Sequence, residues 1–399
     1  MYRIKLLVHE NGERLPILIC QNGHPLVEPN LFVLSRRHLG WRTLEGKLKA
    51  IALLLQWADE YGIDLAERCA DFAFTEQEVN GSLIPFLRKS YRAWKVQKLA
   101  VAPKTFNNRL LFVKEYLGWS FQKTLSNLPT TDSRWESLQA KQRLVMGWLS
   151  QAFIRTSAAQ YRDVRGLSNN QLAHLINRIV PDASSNPWKN QALRHRNEVV
   201  ILLLLNLGLR PSELLKLKVE DVHIGAISSV SVQRRPDERE DPRRRSPEVK
   251  RRGRILPLSE TALVRTIDRY ICDWRPQLDD RHETGTDYLI LSRHGQPLSY
   301  ASLFEIFLDL RTGDSTLPDT FSPKTLRHVF SSQIQKDLRQ MGLSEEKIRA
   351  RLMYLRGDTS DRSQDTYLAE NDREEAGQAL AAHQKSLFGA LNIEKKGQS

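Results

Sequence analysis

The first forty residues alternate apolar and polar positions, and the period then lengthens to that of a helix. Tyr2, Ile4 and Leu6 alternate with Arg3 and Lys5 at the start of the Tyr2–Val8 stretch, Glu10–Glu13 reads as a turn, and Leu15–Cys20 is a second apolar run. This pattern predicts a small β-hairpin within residues 1–40. From Thr43 onward Ile51, Leu54, Leu55, Ala58 and Tyr61 share one helical face, and Gly62 is placed to cap it. Thr75 and Glu78 have capping-box spacing and open a helix toward Trp94, which Gly81 and Pro85 must bend or shorten. Pro103 starts a third helix with Phe106, Leu110, Val113 and Leu117 on its apolar face and Gly118 at its end. Ser133 and Glu136 form another capping box before Leu138, Val145, Trp148 and Leu149. Residues 41–155 therefore predict a compact domain of four amphipathic helices.

Residues 156–166 are polar and aperiodic, which suits an interdomain linker, and Ser168–Gln171 caps the first helix of a second domain. In that domain, residues 167–399, a helix over about Leu193–Leu207 turns wholly apolar from Val199 and must be buried. Ser229–Gln233 and Arg254–Leu258 read as strands. Between them Arg234–Arg252 is crowded with arginine and carries three prolines; its polarity predicts an exposed, mobile hairpin tip. Helices follow at Ser259–Trp274, Tyr300–Leu310, Ser322–Gln335 and Ser344–Leu355. A last apolar stripe comprises Ala376, Leu380, Ala381, Leu387, Phe388 and Leu391. The fold class is thus mainly α with a small antiparallel sheet, an α+β arrangement.

Charge narrows the function. Across 399 residues, 60 Lys and Arg stand against 47 Asp and Glu, a formal net charge of +13. Such an excess is the footprint of a polyanion binder, because neutralising phosphates releases counterions. The longest unbroken apolar run, Val199–Leu205, is far short of the ~18 residues that span a bilayer. The N-terminus acquires charge too quickly for a secretory signal. Cys20, Cys69 and Cys272 are too scattered for a zinc site or a disulfide framework. A cytoplasmic protein with reduced thiols, no metal and no cofactor is expected.

Two segments carry candidate chemistry. In Gly208-Leu-Arg-Pro-Ser-Glu-Leu214 a buried helix stops at glycine and Pro211 restarts another, which mounts Arg210 at a helix–helix corner. An arginine fork beside free helix N–H groups suits a phosphate, and a structural pair with Glu213 is the plainer alternative. In Ser322-Pro-Lys-Thr-Leu-Arg-His328, Lys324 and Arg327 share one face of a helix N-terminus. Two cations there oppose the helix dipole, a cost readily understood if an anion binds. His328 reads as a core or supporting histidine.

These two segments, in this order, resemble the two arginine boxes of the tyrosine recombinase (phage integrase) family. Leu355-Arg-Gly-Asp358, followed by Tyr367, is similar to that family's Leu-Gly-His…Tyr segment, so the likeness covers about residues 40–390. It implies a helical, SAM-like core-binding domain over residues 41–155 and a catalytic domain over residues 167–399, which together close a C-shaped clamp on double-stranded DNA. It further implies a site-specific recombinase or integrase of a phage or mobile element, which cuts and rejoins strands through a 3′-phosphotyrosyl intermediate without metal. Arg210 and Arg327 then clamp the phosphate, Tyr367 is the nucleophile, and Lys250, the one lysine of the basic hairpin, is the acid for the leaving 5′-oxygen. Members of the family donate a C-terminal helix to a neighbour, so the last stripe implies a homo-tetramer on DNA, in the bacterial nucleoid and with room for accessory proteins. Packing of the stripe within its own chain is the plainer alternative, and the sequence does not separate the two.

Two positions depart from the family pattern. Lys324 replaces the usual histidine of the second box, and Asp358 stands where Gly-His or Gly-Trp is usual. Either Asp358 pairs with and orients Lys324, which is the favoured expectation, or the loop is re-registered and Arg356 faces DNA. The departures keep two rivals open: a type IB topoisomerase-like strand transferase, and a catalytically altered DNA-binding factor.

Overall fold

The computed structural model describes residues 2–90, 100–129, 131–155, 166–249, 253–279, 285–358 and 376–389. The chain divides into two compact units, Met1–Arg162 and Asp163–Ser399.

In the first unit, β1 (Arg3–Val8) pairs antiparallel with β2 (Arg14–Ile19), as the alternation predicts. Helices follow as α1 (Val27–Leu34), α2 (Trp41–Tyr61), α3 (Leu65–Asp71), a π-turn (Gln77–Leu83) running into α4 (Ile84–Arg88), α5 (Pro103–Ser126) and α6 (Trp135–Gln151). Helix α1 has no counterpart in the sequence reading. Its Phe32 and Val33 are buried with Leu15 and Leu18 of β2 in one core with α2 and α5, so the hairpin is built into the helical unit. The α2 helix ends at Gly62 in the left-handed conformation, φ 64°. The Thr75 hydroxyl accepts from the Glu78 N–H and the Glu78 carboxylate accepts from the Thr75 N–H, as the box spacing requires. Trp94, toward which that helix was expected to run, lies outside the described residues.

Two helix boundaries differ from expectation. Gly118 does not end α5, because Phe121 and Leu125 continue its buried face. Burying that further turn outweighs the ~1 kcal/mol that glycine costs inside a helix. The expected Ser133–Glu136 box does not form. Instead α6 starts at Trp135, and the Asp132 carboxylate accepts from the Arg134 N–H at 2.9 Å.

The second unit opens with α7 (Asn169–Ile179), whose Ser168–Gln171 capping box is complete. Next come α8 (Gln191–Leu207), α9 (Pro211–Lys216), and β3 (Val222–His223), β4 (Ser229–Val232) and β5 (Arg254–Pro257), which form an antiparallel sheet in that order. Then follow α10 (Thr261–Arg269), a π-turn (Tyr270–Trp274), α11 (Arg275–Asp279), α12 (Tyr300–Arg311), α13 (Pro323–Gln340), α14 (Glu345–Arg356) and α15 (residues 376–389). Helix α8 is buried on all sides from Val199 to Leu207 and forms the centre of the core.

The Arg234–Val249 segment is only in part the exposed tip its composition suggests, and residues 250–252 lie outside the described residues. Lys216 Nζ reaches Glu238 at 2.7 Å and Asp241 at 2.9 Å, and all three are nearly shielded from solvent. Arg243 is held by Asp241 and donates to the carbonyls of Leu215 and Leu298, with its guanidinium 4.5 Å from the Tyr288 ring centre. Arg235 pairs with buried Asp221. The segment is anchored because Arg235, Glu238, Asp241 and Arg243 each meet an opposite charge, while Arg234, Asp237, Arg239, Arg244 and Arg245 stay exposed. Burial opposes ionisation of Asp241, but its bonds to Arg243, Lys216 and Ser246 hold its pKa well below the ordinary range.

Helix α15 packs against its own unit, the plainer of the two readings of the C-terminal stripe. Ala376, Ala379, Leu380, Leu387 and Phe388 are buried in the core of this same unit, so this stripe is satisfied within its own chain. Gln384 clamps the end of β5, donating to the Pro257 carbonyl at 3.0 Å and accepting from the Ser259 N–H at 2.8 Å. The His383 ring contacts the Leu205 carbonyl at 3.1 Å and meets Phe330 edge-on. Leu391 lies outside the described residues.

Candidate active site

Gly208 creates the corner that aims Arg210. It ends α8 in the left-handed conformation, φ 57°, and a Cβ there would collide with the Phe330 ring of α13. Only glycine meets both demands. Arg210 is consequently the N-cap of α9, with extended backbone at φ −73°, ψ 149°. Its N–H donates to Glu213 Oε2 at 2.8 Å and its Nη1 to Glu213 Oε1 at 2.7 Å. The structural pair with Glu213 therefore exists, and it leaves Nη2 free to face elsewhere.

That Nη2 group donates to the Gly357 carbonyl at 3.3 Å and pairs with Asp358 Oδ1. Arg327, on the second turn of α13, donates to the carbonyls of Gly208 and Arg356 and lies 3.5 Å from Asp358 Oδ2. Arg210 and Arg327 thus converge on one point, and a carboxylate sits there. Asp358 is delivered by the end of α14. Gly357 takes φ 61°, its N–H bonds the Tyr354 carbonyl, and the Asp358 N–H bonds the Met353 carbonyl at 2.8 Å, a Schellman turn. Arg356, the last residue of α14, places Nε 2.9 Å from Asp358 Oδ2.

Beneath these groups lies a pair that sequence reasoning missed. Arg254 of β5 donates to both Glu213 oxygens, at 3.0 and 2.9 Å, and to the Leu355 carbonyl at 2.8 Å. Both side chains are almost fully buried. Glu213 therefore joins the start of α9, the sheet and the end of α14, the three elements that carry Arg210 and Asp358. Burial raises the Glu213 pKa, but bonds to Arg254 and Arg210 more than reverse this and bring it below the ordinary value. The available signal was the capping-box spacing of Arg210 and Glu213; Arg254 is 41 residues away and gave none.

Burial lowers the Arg327 pKa to about 10, and the neighbouring charges of Arg210 and Arg356 add to it, opposed by Glu213 and Asp358. His328 is likewise held below its ordinary pKa, by burial and then by Lys324, Arg356 and Arg327, so it is neutral at pH 7.

Of the six expected site residues, the structure brings together Arg210, Arg327 and Asp358. Lys324 is exposed on α13. The expected Asp358–Lys324 pairing is replaced: Asp358 pairs with Arg210, Arg327 and Arg356, because the Schellman turn directs it under α14 toward the α9 corner. Lys250 and Tyr367 lie outside the described residues. Of the other tyrosines in this unit, Tyr288 is buried with its hydroxyl donated to Glu238 at 2.7 Å; burial, then the nearby Asp241 and Glu238, push its pKa far up. Tyr354 is half-buried against the core.

Clustered arginines at two helix starts, with a carboxylate in their grip, define a phosphate-type anion site on a mainly helical scaffold. Residues 165–341 match the phage integrase family model, so this segment of the second unit is similar to the tyrosine recombinases. The tyrosine recombinase XerD of Listeria innocua is 28% identical over 141 residues, 35% of this chain and 41% of that protein. XerD of Staphylococcus aureus is 29% identical over 148 residues, 37% of this chain and 44% of that protein. The chain thus matches about two fifths of the length of these curated relatives. In fold it is similar to the XerH site-specific recombinase, solved as a post-cleavage complex with a palindromic difH substrate. The TM-score is 0.51 at 13% identity, covering 87% of this chain and 81% of that one.

Proposed function

We propose that this chain is a site-specific DNA recombinase, serving a phage or other mobile element, which cuts and rejoins strands through a phosphotyrosyl linkage. The carrying observation is the convergence of Arg210 and Arg327 on one anion position at two helix N-termini. Attack on phosphorus places extra charge on the non-bridging oxygens, and two arginines that remain protonated are suited to stabilise it.

In this reading the Tyr367 hydroxyl attacks the scissile phosphorus, the bond to the 5′-oxygen breaks, and Lys250 gives that oxygen its proton. Tyrosine, with an ordinary pKa of ~10, needs such a cationic surrounding to react as the phenolate. A 5′-hydroxyl from a second strand then attacks the phosphotyrosine and expels Tyr367, so the phosphate bond count is unchanged. The arginines supply the charge stabilisation, and no step calls for a metal ion. Both units would contact double-stranded DNA, and strand exchange requires copies of the chain to assemble, four for two duplexes.

The test is a nicked suicide duplex that loses its 5′-hydroxyl strand after cleavage. A covalent protein–DNA adduct on denaturing gels supports the reading. DNA binding without any adduct would instead make the chain a silent DNA-binding factor, with Asp358 as the block.

A further inference from the structure

The carboxylate of Asp358 lies where the reading above requires a phosphate. One oxygen pairs with Arg210; the other lies 3.5 Å from Arg327 Nη2 and 2.9 Å from Arg356 Nε. Arg356 Nε is itself shielded from solvent and, despite this approach, makes no hydrogen bond among the described residues, because its N–H does not point along the contact. It is a shielded donor beside the site without an acceptor in line, an arrangement whose cost an additional oxygen would remove. The charge balance points the same way. Among the described residues, Arg210, Arg254, Arg327 and Arg356 face Glu213 and Asp358, so this cluster carries more positive than negative charge before any substrate enters.

We propose that Asp358 occupies the seat of the scissile phosphate in the free protein, and that Arg356 is a third arginine ligand of that phosphate beside Arg210 and Arg327. The incoming phosphodiester displaces the Asp358 carboxylate from the arginine forks. A phosphate presents more oxygens than a carboxylate, so it can engage Arg210 and Arg327 and still offer one to Arg356 Nε. Asp358 is 36% exposed at its side chain and sits at the end of a helix, so it can rotate toward solvent. Until then it keeps three like-charged guanidinium groups from repelling one another out of position.

This inference rests on the phosphate-clamp reading of Arg210 and Arg327, and the experiment separates the two. Strand cleavage by the full-length chain is measured on a suicide duplex with an ordinary scissile phosphodiester and on one with an uncharged methylphosphonate. Arg356→Ala is expected to slow cleavage of the diester by at least ~10-fold and of the methylphosphonate far less, since the charge it serves is gone. Asp358→Asn is expected to tighten binding of the ordinary duplex by ~3- to 10-fold, because the competing anion is removed. Equal slowing on both substrates by Arg356→Ala, in a variant whose thermal unfolding matches the wild type, would overturn the proposal, as would weaker DNA binding by Asp358→Asn. Arg327→Ala is the control. If its defect also ignores substrate charge, the phosphate-clamp reading itself fails; if Arg327 is charge-sensitive and Arg356 is not, only the third ligand is lost.

Discussion

Glu213 holds Arg254 through two hydrogen bonds, 3.0 and 2.9 Å, while the same carboxylate caps and orients Arg210. One buried anion thus supports one candidate catalytic cation and fastens another to the sheet. Removing one partner of such a pair leaves a buried charge uncompensated.

Glu213→Ala should therefore destabilise the second unit by ~3–5 kcal/mol in urea unfolding, more than Glu213→Gln, which keeps part of the hydrogen bonding. The acid dependence has a definite sign. Because the folded pKa is depressed, the stabilisation is complete above the unfolded value of ~4.3 and is lost as pH falls through the folded value. Unfolding midpoints measured below pH ~4.3 should fall less steeply in Glu213→Gln than in the wild type.

His383 acts in a different window. Its burial lowers its pKa to about 4, against ~6.5 in the unfolded chain, so the unfolded state binds more protons between these values. Stability should be complete above pH ~6.5 and decline as pH falls toward ~4, by up to ~3 kcal/mol. His383→Leu, which also gives up the contact with the Leu205 carbonyl, should flatten this portion of the pH profile. An unchanged slope would mean that His383 is protonated in the folded state.

Arg243 fastens the Arg-rich segment to the body of its unit. Arg243→Ala removes bonds to two carbonyls and to buried Asp241, and should cost ~2–4 kcal/mol. Limited proteolysis should then cut within residues 234–249, where the wild type resists.

Lys250 is expected to protonate the departing 5′-oxygen. Lys250→Ala should slow cleavage of an ordinary duplex by ~100-fold or more and recover on a substrate with a 5′-bridging sulfur, whose thiolate needs no proton. Failure of the sulfur substrate to restore the rate would move the acid role to Arg251, Arg252 or another group.

Tyr367→Phe deletes one hydroxyl. Adduct formation should vanish while DNA affinity and its steep salt dependence persist between ~50 and ~200 mM. An adduct in this variant would identify another tyrosine as the nucleophile, and loss of binding would make Tyr367 structural.

Local signals in the chain were sufficient wherever one turn of backbone settles the matter. The Thr75–Glu78 and Ser168–Gln171 boxes, the Gly62 and Gly208 caps, the buried run of α8 and the Gly208–Pro211 corner all follow from residues within four positions of each other. The two arginines that converge, Arg210 and Arg327, were legible for the same reason, since each is mounted by its own helix start. Tertiary structure decided what depends on distant closures. Asp358 found arginines and not Lys324 because the turn after α14 and the corner before α9 meet only in the folded unit. Arg254 and Glu213 come from different elements, and their pairing is favourable only once both are dehydrated together. Residues 234–249 are polar enough to read as a solvated loop; Lys216 and the Leu215 and Leu298 carbonyls, brought close by packing, gave Glu238, Asp241 and Arg243 partners away from solvent. Periodicity and capping are properties of a short segment, whereas a charge takes its partner from whatever the core brings beside it.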